Sequence, residues 1–192
     1  MSPIHQRADT DCPESSRAPA VGNTDRVPTP RYITEIREVW GHRPLLLPGV
    51  SGVVLRAADD HESGAGQQVL LVQRSDNGRW SVPAGIVEPD EQPADSIARE
   101  IWEEARVRAV PDRLVRVSHE PEITYPNGDR CQFMSLTFRC RYVSGEAAVG
   151  DEESLAVGWF DVDDLPELES KELRRIEDAL DPDPTCAFSL TR

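Results

Sequence analysis

The chain has 192 residues, a formal net charge of −14 and 38% hydrophobic residues, which is enough for one ordinary domain. This acidic balance excludes a general nucleic-acid-binding surface, because such a surface needs basic side chains to neutralise phosphates. It still allows a nucleotide held through a metal ion, since a cation can bridge carboxylates to phosphate. The chain contains no apolar run of roughly 18 residues that could span a membrane, and its four cysteines form no C-x-x-C pair. The composition therefore predicts a soluble cytoplasmic protein with reduced thiols.

The N-terminal region divides into an arm and a first helix. Residues 1–29 are rich in Pro, Ser and Asp without a periodic apolar pattern, so they are predicted to form a disordered arm. From Tyr32 to Trp40 the apolar residues follow helical spacing, with Thr29 as a plausible N-cap. Gly41 is placed to end this helix.

The rest of the chain mixes strands and helices. The β-rich runs predict strands over residues 48–55, 69–72, 80–83, 114–117 and 156–160, and a hairpin over 123–142 that turns at Asn127-Gly128. Helical spacing predicts helices over 93 to about 107 and around 173–180. Because this order lacks regular βαβ alternation, the predicted fold class is α+β with a layered mixed sheet. The predicted domain covers residues 30–183, and a C-terminal tail follows over 184–192.

Three glutamates on the second predicted helix, Glu100, Glu103 and Glu104, follow an i, i+3, i+4 spacing. At about 100° per residue they fall within an arc of about 100°, so their carboxylates lie on one side of the helix. Carboxylates this close repel one another, and a hard divalent cation such as Mg2+ compensates that repulsion. Taken alone, the cluster is more often a solvated helix face, on which Arg99 would pair with Glu103.

The residues around this cluster complete a longer pattern. Gly85 is followed after five residues by Glu91, and after seven more by Arg99-Glu100-Ile101-Trp102-Glu103-Glu104. This spacing resembles the signature of the Nudix hydrolase (MutT-like) family, which continues with one variable residue, a glycine and an aliphatic residue. Residues 85–107 are called the Nudix box below. The chain matches every specified position except one, because Arg106 stands where the family has glycine. The position of that glycine is typical of a residue that ends a helix in the left-handed backbone conformation. An arginine adopts this conformation at a cost of roughly 1 kcal/mol.

The resemblance covers about residues 31–180 and implies the Nudix α/β/α sandwich, in which helices flank a mixed sheet. It also implies hydrolysis of a diphosphate linkage in a nucleoside diphosphate joined to another group. The substrate classes implied are ADP-ribose, another nucleotide sugar, or a (deoxy)nucleoside triphosphate. The resemblance thus implies a small-molecule nucleotide partner.

Roles within the Nudix box follow from the resemblance, position by position. Glu100, Glu103 and Glu104 are the implied ligands of Mg2+, with Mn2+ as a substitute, and the carbonyl of Gly85 is an implied backbone ligand. Glu100 is also the implied base that activates the attacking water. Arg99 is expected to orient Glu91 or a glutamate of the box through a charge-assisted hydrogen bond.

Further candidates lie outside the Nudix box. In the family a carboxylate on a late loop sometimes acts as the base or adds a ligand, and Glu152 and Glu153 before the last strand are the candidates here. A solvated acidic turn explains them equally well. Candidates for substrate binding are two arginines that would contact phosphates and two aromatic residues that would stack on a base or sugar: Arg74, Arg79, Trp80 and Tyr125. Aromatic residues on strands are more often part of the core.

One alternative function remains open on the sequence. A non-catalytic Nudix-fold nucleotide-binding or regulatory module would share the fold and the substrate pocket. Such proteins commonly lose glutamates of the box, whereas all of them are present here, which favours an enzyme. Relatives often form homodimers, and the predicted helix over 32–40 is a candidate for that contact.

Overall fold

The computed structural model describes residues 30–58, 66–125 and 127–190. The predicted arm, including Thr29, therefore lies outside the described residues. In chain order the elements are α1 (Arg31–Trp40), β1 (Leu45–Ala57), β2 (Gln67–Arg74), β3 (Trp80–Ser81), β4 (Ala84–Ile86), α2 (Pro93–Ala105), β5 (Arg108–Thr124), β6 (Arg130–Ser144), β7 (Ser154–Asp161), α3 (Ser170–Leu180) and β8 (Ala187–Phe188). Within these ranges no helix has the length and apolar character needed to cross a membrane.

The mixed sheet is built around β1. This strand runs parallel to β6, and its other edge pairs antiparallel first with β4 and then with β2. β2 carries β7 on its outer edge, while β6 forms the predicted hairpin with β5. The two-residue strand β8 adds to β5 within the segment predicted as a tail. Two residues are too few for a periodic signal, so the sequence did not predict this strand.

Alternation of side chains along β1 divides the core between the two faces of the sheet. Val54 packs with Ile97 of α2, whereas the neighbouring Val53 packs with Ile176 of α3. α2 lies directly on β1, because a Cβ added at Gly52 would lie 2.8 Å from Cγ1 of Ile97. Helices on both faces of a mixed sheet confirm the predicted α+β sandwich.

α1 closes the end of the molecule where β1 and β6 begin. Its Ile33 is only 3% exposed and packs against Leu47. The helix ends at Gly41 with φ 62°, as predicted, and the N–H of Gly41 donates to the carbonyl of Arg37 at 2.9 Å. Arg37 also donates to the carbonyl of Arg130 at 2.8 Å, which ties α1 to the start of β6.

α3 contributes a buried ion-pair network beneath the strand segment that leads to Gly85. Arg175 donates to Oε1 of Glu172 at 2.8 Å and to Oε1 of Glu120 on β5 at 2.9 Å. Oε2 of Glu172 accepts the backbone N–H of Val82 at 3.3 Å. Because Val82 precedes Gly85 by three residues, α3 supports the entry into the Nudix box from the opposite face of the sheet.

Candidate active site

The carboxylate site forms where β4 lies against α2. Gly85 pairs with Val50 in the middle of β1, and α2 approaches this point very closely. A Cβ added at Gly85 would overlap the side-chain carboxylate of Glu100. The glycine therefore allows the Glu100 side chain to lie directly on the β4 backbone. This close contact explains why the motif begins with a glycine.

Arg99 links the acidic residues of the Nudix box. Its Nε and Nη2 donate to the two carboxylate oxygens of Glu91 at 2.9 and 3.1 Å. Its Nη1 donates to Oε1 of Glu100 at 2.8 Å and to Oε2 of Glu103 at 3.0 Å. Such bidentate, charge-assisted bonds fix orientation, and Arg99 lowers the pKa of Glu91 below its ordinary value. Arg99 therefore fixes the positions of three carboxylates relative to one another.

The three glutamates on α2 differ strongly in their surroundings. Glu104 is only 6% exposed, and its Oε2 has no hydrogen-bond partner in the described structure. Burial, together with the charges of Glu100 and Glu153, raises the pKa of Glu104 well above its ordinary value. Burial also raises the pKa of Glu100 to about 7, against the opposing effect of Arg99. The Glu103 side chain is 49% exposed.

This donor set suits a hard divalent cation. The unpartnered oxygen of Glu104 and the repulsion among buried carboxylates are both relieved by a positive charge with oxygen ligands. Over the described ranges, however, no three His, Cys, Asp or Glu side chains already form a group that could hold a metal. Arg99 bonds both Glu100 and Glu103, and Glu103 is half exposed. We therefore expect Glu103 to rotate away from Arg99 when a cation binds.

The acidic turn before β7 also reaches this site. Glu153 raises the pKa of both Glu100 and Glu104, and its own pKa is raised by burial and by Asp151. The turn is held by its backbone, because the carbonyl of Glu153 accepts the N–H of Ser75 at 2.8 Å. Of the two glutamates predicted in this turn, Glu153 is partly buried and its charge acts on the pKa of Glu100 and of Glu104. Glu152 is exposed to solvent.

Two of the four substrate-binding candidates lie near the carboxylates. Arg74 forms an ion pair with Asp76 at 2.7 Å, and its charge lowers the pKa of both Glu104 and Glu153. Tyr125 shares this neighbourhood, since its pKa responds to Arg74 and Glu153 and is raised mainly by burial. One guanidinium group, that of Arg74, and one aromatic ring, that of Tyr125, thus lie in the neighbourhood of the acidic cluster.

The other two candidates have partners elsewhere. Arg79 pairs with Glu169, just before α3. Trp80 packs edge-on against Phe160, with 4.9 Å between the ring centroids, as part of the core beneath α3. This is the core role that the sequence left open for Trp80. In the described structure neither Arg79 nor Trp80 contacts the glutamates of the Nudix box.

Sequence reasoning missed two residues that support the site. Ser96 is fully buried, donates to the carbonyl of Ile86 at 3.3 Å and accepts a hydrogen bond from Arg99 at 3.3 Å. Its position three residues before Arg99 on α2 was the available signal. Asp76 neutralises Arg74, but the Asp76-Asn77-Gly78 sequence indicates only a turn.

The raised pKa values predict how the metal-free protein responds to pH. A carboxyl group whose pKa is higher in the folded state binds more protons there than in the unfolded chain, so its stabilising contribution falls as pH rises. For Glu100 this contribution is complete below its ordinary pKa of 4.5 and is lost as pH passes about 7, and Glu104 acts in the same direction. In EDTA, we expect the melting temperature to fall from pH 5 to pH 8 by several degrees.

The control for this experiment is the same pH series with excess Mg2+. Deprotonated carboxylates bind the cation more tightly, so the added metal should raise the melting temperature most at pH 8. A melting temperature in EDTA that rises steadily over this pH range would contradict the raised pKa values of these buried carboxyl groups.

Comparison with known proteins places this geometry in a family. A family model described as the NUDIX domain matches residues 47–180, well over half of the chain. The chain is 37% identical over 139 residues to a MutT-like protein of Streptomyces ambofaciens, a match that covers 72% of this chain and 79% of that protein. It is 36% identical over 105 residues to the NAD-capped RNA hydrolase NudC of Pseudomonas syringae pv. syringae. That second match covers 54% of this chain and only 35% of the NudC protein.

Solved structures share the fold at low sequence identity. An ADP-ribose pyrophosphatase from Streptococcus suis superposes with a TM-score of 0.53 at 24% identity, over 77% of this chain and 100% of that chain. The NUDIX domain of Shewanella oneidensis NrtR, solved in complex with ADP ribose, gives a TM-score of 0.54 at 22% identity. That match covers 70% of this chain and 86% of the NrtR domain chain. At these identities the similarity establishes the fold alone.

Proposed function

This chain belongs to the Nudix hydrolase family, and from that premise we propose that it is a pyrophosphohydrolase dependent on Mg2+ or Mn2+. It cleaves the diphosphate linkage of a nucleoside diphosphate derivative. The observation that carries this proposal is the complete set of box glutamates, with Glu100 packed against Gly85 and one buried carboxylate oxygen of Glu104 unpartnered. A solvated helix face would not bury a glutamate in this way, because an unpaired buried carboxylate is costly.

Each residue of the site has a distinct task in this proposal. Glu100, Glu103 and Glu104 would hold the cation together with the carbonyl of Gly85. When bound there, a divalent cation would neutralise phosphate oxygens and lower the pKa of the attacking water. Arg99 keeps Glu91 and the ligating glutamates in orientation, as outer hydrogen-bond partners of metal ligands commonly do.

Two carboxylates are suited to accept the proton of the attacking water. Glu100 is the first, because its carboxylate lies directly against Gly85, whose carbonyl would share in holding the cation. Glu153 is the second candidate, because it lies on the late turn beside the cluster and is partly buried. Of these two, Glu100 is our choice for the base.

The proposed substrate is a small nucleotide derivative such as ADP-ribose, another nucleotide sugar or a (deoxy)nucleoside triphosphate. Arg74 would balance phosphate charge next to the acidic cluster, and Tyr125 would stack on a base or sugar. The net charge of −14 disfavours contact with the body of an RNA chain. If the chain acted on a capped RNA, its contacts would therefore be with the cap nucleotide and not with the rest of the RNA.

The proposed unit is one domain over residues 30–183, acting in the reducing cytoplasm, where its free cysteines stay reduced. We extend the proposal to a homodimer formed through α1. Within the described residues, the outer side of this helix leaves three apolar residues exposed, namely Ile36, Val39 and Trp40. Sedimentation at micromolar concentration would measure this association directly.

A substrate screen tests the proposed function. The purified chain is incubated with ADP-ribose, UDP-sugars, NADH and deoxynucleoside triphosphates in the presence of Mg2+, and the products are identified by 31P NMR. We expect a nucleoside monophosphate as one product, and no product in EDTA. If a nucleotide binds in calorimetry but none is cleaved with Mg2+ or Mn2+, the chain is the non-catalytic binding module instead.

A further inference from the structure

Arg106 occupies the position at which the family signature has glycine. It adopts a left-handed conformation with φ 57° and ψ 22°, which arginine disfavours and glycine accepts. Its backbone N–H donates to the carbonyl of Trp102 at 3.0 Å and closes the last turn of α2. The backbone therefore follows the path that a glycine would give, although the residue carries a long cationic side chain. This side chain makes contacts that a glycine lacks.

The guanidinium of Arg106 lies against the loop that precedes β7. Its Nη2 donates to the carbonyl of Gly150, and its Nε is 3.0 Å from the position that a Cβ on Gly150 would take. The same guanidinium lies 5.7 Å from the ring centroid of Trp102. The arginine thus connects the end of α2 to a single peptide of the loop.

Gly150 is fixed to α2 by its backbone as well. Its N–H donates to the carbonyl of Glu104 at 3.0 Å, and the N–H of Ala148 donates to the carbonyl of Ala105 at 3.1 Å. A Cβ at Gly150 would overlap the carbonyl of Glu103, so the loop touches the helix without a gap. Arg106 adds a side-chain bond to these two backbone bonds.

The peptide held in this way is the one that begins the acidic turn. Asp151 follows Gly150 directly, and its Oδ1 accepts the N–H of Glu153 at 2.9 Å. The turn is tied to the buried Glu104 by geometry, because the N–H of Gly150 donates to the carbonyl of Glu104 at 3.0 Å, and Glu153 itself is partly buried. A shift of Gly150 would therefore move the Glu153 carboxylate relative to the box glutamates.

We propose that Arg106 is a positioning residue that holds the Asp151–Glu153 turn against the Nudix box, so that the Glu153 carboxylate completes the cation site. This inference rests on the proposed metal-dependent function, because it assigns Glu153 a part in that site. The Arg106 side chain donates a hydrogen bond to the loop, which the glycine of the family signature cannot do. The effect acts through the turn, since Arg106 itself does not contact the carboxylates described here.

The variant Arg106→Gly separates positioning from backbone strain. Glycine removes the guanidinium but suits the left-handed conformation, so we expect no drop in melting temperature. We expect Mn2+ binding, measured without substrate from the EPR signal of free Mn2+, to weaken on the order of tenfold. Arg106→Lys retains a donor for the Gly150 carbonyl and should restore part of the affinity. Arg108→Ala is the matched control, because Arg108 also lies over Trp102, at 4.6 Å, and should leave Mn2+ binding unchanged.

A double-mutant cycle tests the route of the effect. If Arg106 acts through Glu153, then Arg106→Gly in a Glu153→Gln background should weaken Mn2+ binding by less than twofold beyond Glu153→Gln alone. Additive losses would overturn the proposed route. Wild-type Mn2+ affinity in Arg106→Gly would overturn the inference itself.

Hydrogen exchange of the metal-free protein supplies a readout that does not depend on catalysis. The amides of residues 148–153 should exchange about tenfold faster in Arg106→Gly than in the wild type, because the loop loses one of its anchors. Unchanged exchange would overturn the positioning role even if the wild type is an active hydrolase. Failure of the wild-type protein to hydrolyse any nucleotide would instead refute the proposed function, while faster exchange would still establish the anchor.

Discussion

Replacing Glu104 with glutamine is expected to reduce kcat on the order of 10³-fold and, at pH 8, to stabilise the metal-free protein. The loss of activity follows from the proposed role of Glu104, since the variant would remove a charged ligand of the proposed cation. The gain in stability follows from the burial of Glu104, whose Oε2 is unpartnered and whose pKa is raised. A neutral amide removes a buried charge, and we expect a gain of about 1–3 kcal/mol in the free energy of unfolding.

Glu103→Gln is the matched control for this prediction. Glu103 belongs to the same ligand set but its side chain is 49% exposed, so its replacement should also reduce kcat without stabilising the protein. Urea unfolding in EDTA at pH 5 and pH 8 measures the difference between the variants. The gain for Glu104→Gln should be much smaller at pH 5 than at pH 8, because a raised pKa of Glu104 penalises the folded state more as pH rises. Full activity in the double variant would exclude these glutamates as the metal site.

The position of the site could be predicted because its main determinants are local in sequence. The fixed spacing from Gly85 through Glu91 to Arg99 carried the family resemblance, and the i, i+3, i+4 positions placed the glutamates on one side of α2. β-rich runs likewise located β1 and β2, and the helical spacing of apolar residues located both flanking helices. The fold class followed from these elements and from their mixed order.

What could not be predicted depends on contacts between distant segments. The sequence does not reveal that Glu104 is buried while Glu103 is exposed, because that difference is set by the loop packed on the end of α2. It also does not separate Tyr125, which is exposed at the end of β5, from Trp80, which enters the core under α3. Both are aromatic residues near predicted strands, and only the pairing of those strands decides their surroundings.

The buried ion-pair network under the sheet gives a second large expected effect. Glu172 is 2% exposed and Arg175 is 6% exposed, so neutralising Glu172 leaves a buried guanidinium with Glu120 as its remaining carboxylate partner. Breaking a buried ion pair on one side typically costs 3–5 kcal/mol. For Glu172→Gln we expect a loss of about 3 kcal/mol in the free energy of unfolding, because Glu120 compensates part of the charge.

Urea unfolding at pH 7, followed by circular dichroism, measures this loss. Glu177→Gln is the matched control, since Glu177 lies on the same helix but is exposed, and it should unfold like the wild type. The triple variant Glu120→Met, Glu172→Met and Arg175→Met should recover much of the lost stability, because apolar side chains of similar size then replace all three charges of the network. Glu172 also holds the N–H of Val82, three residues before Gly85, so Glu172→Gln should in addition lower kcat under conditions where it remains folded. Equal unfolding midpoints for Glu172→Gln and Glu177→Gln would show that this network does not stabilise the fold. An unchanged kcat in Glu172→Gln would show that it does not support the strand segment that leads to Gly85.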